Sequence, residues 1–302
     1  MAITSTVPKR KIRESVGDRL FVFAIYVILS LVLVAVLYPL IYIVSSSISS
    51  PSAVVSGKVW LWPVDISFRG FATIFKTPLI MTGYGNSLIY MAAGTLISVT
   101  LTVMLAYPLS RKSFFGRQGI LMLVMFTMLF SGGLIPTYLV VKELGMIDSR
   151  LALLIPNAIW VWQVIIARSF FQSTIPSELV EASAIDGCSD WRFLGSVVLP
   201  LSKPILAVLV LMYAVGQWNA YFDALIYLKS DKLFPLQLVL RSIIIQNNSA
   251  GAMDIGIQVQ RAQLAELLKY SLIVVATLPV LIIYPFVQRY FVQGMLVGSV
   301  KG

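Results

Sequence analysis

Residues 20–46 read LFVFAIYVILSLVLVAVLYPLIYIVSS, 27 positions without a single charge. At a rise of 1.5 Å per residue, a helix of that length is more than enough to cross the ~30 Å hydrocarbon core of a bilayer. Strands do not account for it, because membrane barrels alternate over about ten residues instead of running apolar throughout. Five further runs have the same character, at 84–108, 119–140, 151–167, 204–227 and 270–288. Asp223 is the one charge in all six, and it stands near an end of its run. A charge at mid-bilayer costs about 2.5–3.5 kcal/mol, so lipid selects for this cleanliness. The pattern predicts an all-α membrane protein with six transmembrane helices. Arg168 is expected to snorkel at the end of the short fourth helix. Prolines 39, 136, 156, 279 and 285 are expected to kink the helices that hold them.

Composition narrows the function classes. Of 302 residues, 58% are hydrophobic and only 12% charged, about half the charged share of a soluble domain. A soluble enzyme and a disordered chain are excluded. The net charge of +10, from 23 Lys and Arg against 13 Asp and Glu, sets orientation and meets anionic headgroups. No basic face is interleaved with exposed aromatics, so no nucleic acid is expected as partner. The chain has no histidine, which removes His-based acid–base chemistry, Ser-His triads and the common zinc sites. Cys188, the single cysteine, cannot form an internal disulfide or a multi-cysteine metal site. No catalytic residue and no metal ligand is assigned.

Orientation follows from the flanks of the runs. Lys9, Arg10, Lys11, Arg13 and Arg19 precede the first, Arg111, Lys112 and Arg117 follow the second, and Arg289 and Lys301 follow the last. Of Lys and Arg, the opposing short loop 141–150 carries only Lys142 and Arg150. Both termini are therefore expected in the cytoplasm, with a tail at 1–19, a transmembrane domain at 20–288 and a second tail at 289–302. Loops 47–83 and 228–269 would face outward and segment 168–203 inward. The first run is about twice the length of a signal-peptide core and reads as an uncleaved anchor.

The inward segment between the fourth and fifth runs, residues 175–200, reads IPSELVEASAIDGCSDWRFLGSVVLP. Pro176 can open a helix, Gly187 can end it in the left-handed conformation, and Ser189 is a natural N-cap for a second helix. In that second helix Trp191, Leu194 and Val198 are expected on one face, with Leu199 and Pro200 closing it. The first helix carries Glu178, Glu181 and Asp186, charges that an anionic leaflet repels. A groove on another protein suits it better than a lipid surface.

Glu181-Ala182-Ser183, three residues, Gly187, nine residues, Val197, one residue and Leu199-Pro200 resemble the EAA loop of permease subunits in bacterial ABC importers. That family's pattern is Glu-Ala-Ala, three residues, Gly, nine residues, Ile, one residue, Leu-Pro. Ser183 and Val197 are the two departures, both small. Gln217-Trp218-Asn219 and the tail Gln288-Arg289-Tyr290-Phe291-Val292-Gln293-Gly294 are similar to the carbohydrate-uptake class. Within it the chain is most similar to the second, maltose-type permease subunit and its relatives serving oligosaccharides and polysaccharide fragments. The resemblance implies a type I importer fold with six transmembrane helices and a cytoplasmic helix-turn-helix coupling loop. It also implies a bacterial cytoplasmic membrane location and three kinds of partner: a second permease, an ATPase dimer and an extracytoplasmic solute-binding protein. Glu181, Ala182, Ser183, Asp186, Gly187, Leu199 and Pro200 would dock the ATPase. The sequence agrees with that division of labour, since it contains no G-x-x-x-x-G-K-[ST] phosphate loop. ATP and Mg would belong to the partner ATPase, and this chain needs no cofactor of its own.

Sugars are held by amides, carboxylates and aromatic faces. The candidates are Asn86 and Tyr90, then Asn157, Trp160, Trp162 and Gln163, then Gln217, Trp218, Asn219, Tyr221 and Asp223. Amides are costly in hydrocarbon without partners, so Gln163, Gln217 and Asn219 are expected to face the bundle interior. Interhelical hydrogen bonds and an interfacial aromatic belt are the competing explanations for these residues. The loop run 246–251, QNNSAG, is a candidate to reach into the binding protein. An ion-coupled secondary transporter is the alternative function; such proteins place ionisable groups near mid-membrane, where this chain offers none.

Overall fold

The computed structural model describes residues 15–247, 268–285 and 288. The expectations placed on the cations at 9–13, on loop positions 248–251 and on the tail from residue 289 lie outside the described residues. The described chain is helical. Helix α1 (Val16–Ser47) starts on a capping box, with Ser15 Oγ accepting from the Asp18 N–H at 3.1 Å and Asp18 accepting from the Ser15 N–H at 3.2 Å. It runs through Pro39 unbroken, and only Ser45, Ser46 and Ser47 are buried within this chain. Short helices α2 (Pro51–Val55) and α3 (Arg69–Lys76) lead to α4 (Pro78–Ser110), the axis of the bundle.

Around α4 pack α8 (Val161–Thr174) and α12 (Lys203–Asn219). Val103, Ala106 and Leu109 of α4 meet Val164, Ala167 and Phe171 of α8 and Ile205, Leu209 and Tyr213 of α12. Buried Ser98 and Thr102 on α4 are small residues of the kind that let membrane helices approach closely. A second core joins Ile80 and Trp218 to α14 (Leu236–Asn247) and to α15 (Leu268–Pro285) through Leu236, Val239, Leu272 and Ala276.

Helices α1, α4 and α15 are long and apolar enough to cross a bilayer. Counting each of two bent pairs as one span would bring the number among the described residues to five. The first joins α5 (Arg117–Leu129) to α6 (Leu134–Glu143) at 114°. Its bend falls at Gly132 and Gly133, where φ is 84°, while Pro136 sits in the first turn of α6 and costs no helical bond. The second bent pair joins residues 190–201 to α12 at 83°.

The expected fourth span, 151–167, is not one helix. α7 (Leu151–Leu154) stops before Pro156, which has no N–H to continue it, and α8 begins only at Val161. Six continuous spans are therefore not present among the described residues. The fifth expected span is also divided, because Ala220 is extended and α13 (Phe222–Tyr227) is separate. Arg168 does not reach outward. Its Nε donates to the Leu109 carbonyl at 3.0 Å, satisfying an acceptor that the end of α4 leaves open.

Between α8 and α12 the chain makes α9 (Ser177–Ile185), α10 (Asp190–Phe193), a π-turn at Leu194–Val198 and α11 (Leu199–Leu201). The π-turn corrects the expected face. Its Leu199 N–H reaches back five residues to the Leu194 carbonyl, so the i, i+7 register is lost. Phe193 and Val198 are buried, and Trp191 is 70% exposed. Nor does Pro200 end the helix, which runs to Leu201 and breaks at Ser202.

Candidate functional site

The break between α7 and α8 opens a cavity of about 130 Å³, lined by Tyr90, Asn157, Trp160, Gln217, Asp223 and Pro235 among others. Irregular backbone at membrane depth is tolerated where it lines a cavity or is buried in protein, so the break and the cavity belong together. Asn157 donates to Asp223 across it at 2.8 Å. The extended Trp160 directs its backbone N–H to the Tyr213 hydroxyl at 3.2 Å, and that hydroxyl pairs with Thr102 at 2.7 Å. Trp160 and Tyr213 rings lie 5.1 Å apart. Gln217 rests on Gly94, where an added Cβ would lie 2.7 Å from its Cδ. Sites for small molecules usually measure about 300–1,000 Å³, so this cavity has the size of a partial site.

The sequence candidates divide accordingly. Tyr90, Asn157, Trp160, Gln217 and Asp223 come together at the cavity. Asn86 instead holds the loop, donating to the Lys232 and Phe234 carbonyls at 2.7 and 3.1 Å and accepting from Arg150. Tyr90 shares that duty through its hydroxyl, which donates to the Leu233 carbonyl at 2.8 Å. Gln163 is buried as expected, with Oε1 unpartnered. Trp218 is buried on another face, where its Nε1 donates to the Ala276 carbonyl at 2.9 Å. Asn219 does not face the interior. It is exposed and folds back on its own helix to the Val215 carbonyl, which satisfies its amide without a neighbour. Tyr221 lies under Arg241, and Trp162 is 56% exposed.

Tyr213, Gly216 and Asp148 escaped the reading of the sequence. For the first two a signal existed, since Tyr213, Gly216 and Gln217 fall at i, i+3, i+4 on one helical face. Asp148 had none. Its φ is 59°, its carboxylate accepts from the Lys229 and Ser230 N–H groups at 2.9 Å each and from Ser230 Oγ at 2.6 Å, and its own N–H donates to the Tyr227 carbonyl. The Ser230 hydroxyl, followed by those two N–H groups, holds the carboxyl below its ordinary value. Loops 144–150 and 228–231 are thereby fastened together beside the cavity.

A second feature projects from the bundle. Helix α9 buries none of its residues. Glu181 and Ala182 are exposed, Ser183 turns its hydroxyl to the Val180 carbonyl, and Ile185 is 87% exposed. The helix ends as expected at Gly187, whose φ is 68°, with the Cys188 N–H bonded to the Ser183 carbonyl at 2.9 Å. Ser189 then caps α10. Leu199 packs on the bundle core and Pro200 is exposed. A groove of about 570 Å³ runs between α9 and residues 110–113, with Glu178 and Glu181 on one bank and Arg111 and Lys112 on the other.

Residues 98–297 match the family described as the inner membrane component of binding-protein-dependent transport systems. The chain is 41% identical over 292 residues to the polygalacturonan/rhamnogalacturonan transport system permease protein YtcP of Bacillus subtilis (strain 168), a match covering 94% of this chain and 99% of that protein. It is 41% identical over 265 residues to protein LplC of the same organism, covering 87% and 89% of the two chains. Among solved structures it is similar, with a TM-score of 0.85 and 35% identity, to a chain of a bacterial ABC transporter involved in the import of the acidic polysaccharide alginate; 93% of this chain and 100% of that one are covered. The spaced motif, the helical bundle and these matches agree: the chain belongs to the family of inner membrane components of binding-protein-dependent transport systems, as an ABC transporter permease and not an enzyme.

Proposed function

We propose that this chain is one membrane subunit of an ATP-driven oligosaccharide importer. It forms the translocation path with a second permease and receives its sugar from an extracytoplasmic binding protein. An ATPase dimer, which holds ATP and Mg, grips α9 from the cytoplasm. Both termini and α9 then lie inside, with residues 20–288 as the membrane domain and 175–200 as the coupling loop. The observation that carries this reading is α9 itself, a helix with no fully buried residue, anchored to the bundle core through Val180 and ending on a left-handed glycine in a motif of matching spacing. Glu181 offers a charge to a basic partner residue, Ala182 and Gly187 leave room for a close approach, and exposed Ile185 offers an apolar contact. Closure of the ATPase dimer pulls on α9 and, through α8 and α12, on the helices that wall the cavity. Nucleotide and loaded binding protein thus bias one two-state element.

The partial cavity fits a path completed by a second subunit. Fragments of acidic polysaccharides are the first substrates to test, because two similar proteins bear names that specify polygalacturonan/rhamnogalacturonan transport and alginate import. Asp223, the one charged residue of the six apolar runs, is already engaged by Asn157, which leaves little for an ion-coupled cycle. The test is uptake into proteoliposomes carrying both permeases and the ATPase, with binding protein outside. Uptake is expected to require ATP, binding protein and ATPase together; uptake that persists without the ATPase supports the ion-coupled alternative instead.

A further inference from the structure

Trp160 is held by what is missing beneath it. A Cβ built on Gly216 would overlap Trp160 Cη2 and approach Cζ2 at 3.0 Å and Cζ3 at 3.2 Å. The indole therefore lies directly on bare α12 backbone, and any side chain at position 216 would force it to move. The ring has little freedom in the other directions. Its backbone N–H is fixed by Tyr213, Tyr213 is fixed by Thr102, and the Tyr213 ring packs beside the indole. Trp160 and Gly216 both line the cavity, so an indole lifted from its seat is displaced along the wall of a space of only about 130 Å³. Asn157, Gln217 and Asp223 surround that wall with hydrogen-bonding groups.

We propose that Trp160 is the aromatic wall against which sugar rings slide, and that Gly216 is the specificity-determining residue, its bare backbone keeping the indole out of their path. The inference rests on the carbohydrate-import reading and adds to it a residue that sets the size of the cargo. A flat indole flanked by amides and a carboxylate is suited to a pyranose, which presents an apolar C–H face and a polar rim. The seat sets bore width: with glycine at 216 the indole lies flat, and with alanine it stands into the bore. Longer or branched substrates lose passage first.

The test uses the full importer in proteoliposomes and follows radiolabelled oligogalacturonides and maltooligosaccharides of two to six residues. Gly216→Ala is expected to cut uptake of the longest species transported by the wild type at least tenfold and that of the shortest much less. ATP hydrolysis stimulated by loaded binding protein should persist. Adding Trp160→Ala to Gly216→Ala restores passage of the long species at saturating substrate concentration, because the obstruction is gone, while uptake at low concentration stays impaired without the aromatic face. Alone, Trp160→Phe retains uptake and Trp160→Leu loses it at low substrate concentration, a comparison that stands even where Gly216→Ala does not assemble. Equal transport of all lengths by Gly216→Ala, a double variant no better than the single one, or equal uptake by Trp160→Phe and Trp160→Leu overturns the proposal. A wild-type complex that takes up neither series overturns the carbohydrate reading itself.

Discussion

Asp148 occupies a left-handed backbone position that disfavours most L-residues but suits Asp and Asn, and its carboxylate closes the turn by accepting three bonds from Lys229 and Ser230. Asp148→Asn keeps the backbone preference and removes the charge, so it isolates the electrostatic part. The variant is expected to melt at a lower temperature than the wild type in detergent at pH 7. The pH dependence has a definite sign. A carboxyl held below its ordinary value of 3.8 contributes stability above that value and loses it as pH falls through the lowered one. The gap in melting temperature between the two proteins should be constant from neutral pH down to about 5 and close on further acidification. Two proteins with identical melting curves at pH 7 contradict the role assigned to Asp148. Nothing in the local sequence announced this residue, because its partners stand some eighty positions away and pairing at that distance is set by the fold.

Among elements, α9 with its closing turn was the most legible, because its signals are local: a proline before it, a glycine after it and a serine to start the next helix. The long helices α1 and α4 were equally plain from their uncharged runs. What could not be read was how apolar runs break. The run 151–167 has the composition of a span, yet Pro156 divides it and creates the cavity. The π-turn at Leu194–Val198 likewise moved Trp191 outward, since periodicity assumes a uniform helix. Candidate site residues fared in the same way. Asn157, Trp160, Gln217 and Asp223, singled out by their chemistry, line the cavity, whereas Trp218 and Asn219 share the same short run but point elsewhere, and one-residue steps of 100° decide that. For α9 the decisive position is Gly187, whose side-chain space is empty but whose φ is 68°. The Cβ of Gly187→Val therefore meets no neighbour, and the substitution strains the left-handed backbone by about 1–3 kcal/mol. The turn is expected to open and α9 to change its angle, lowering sugar uptake at least fivefold while membrane insertion and basal ATP hydrolysis remain. Normal uptake by this variant counts against α9 as the lever.

At the scale of the molecule, α4, α8 and α12 form the packed centre, while α1 buries only Ser45, Ser46 and Ser47 in its own chain and no residue of α9 is fully buried. On the proposed function, a lipid bilayer and a second permease cover the first of these surfaces, and the ATPase the second. The cavity is lined by Trp160 at the start of α8 and by Gly216 and Gln217 of α12, and the segment holding α9 joins these two helices, so on the proposed function a pull on α9 reaches the cavity wall through packed side chains such as Phe171, Phe193 and Val198. The most direct test of this arrangement is crosslinking from α9 in the assembled importer. Ile185, 87% exposed, is replaced by cysteine in a Cys188→Ser background, and a short bifunctional thiol reagent is applied to membranes that import sugar at the normal rate. A covalent product joining this chain to an ATPase carrying a cysteine on its docking surface, with a yield that changes when nucleotide is added, is the predicted result. A fully active importer in which cysteines along α9 react only with water-borne reagents, and never with the ATPase, contradicts it.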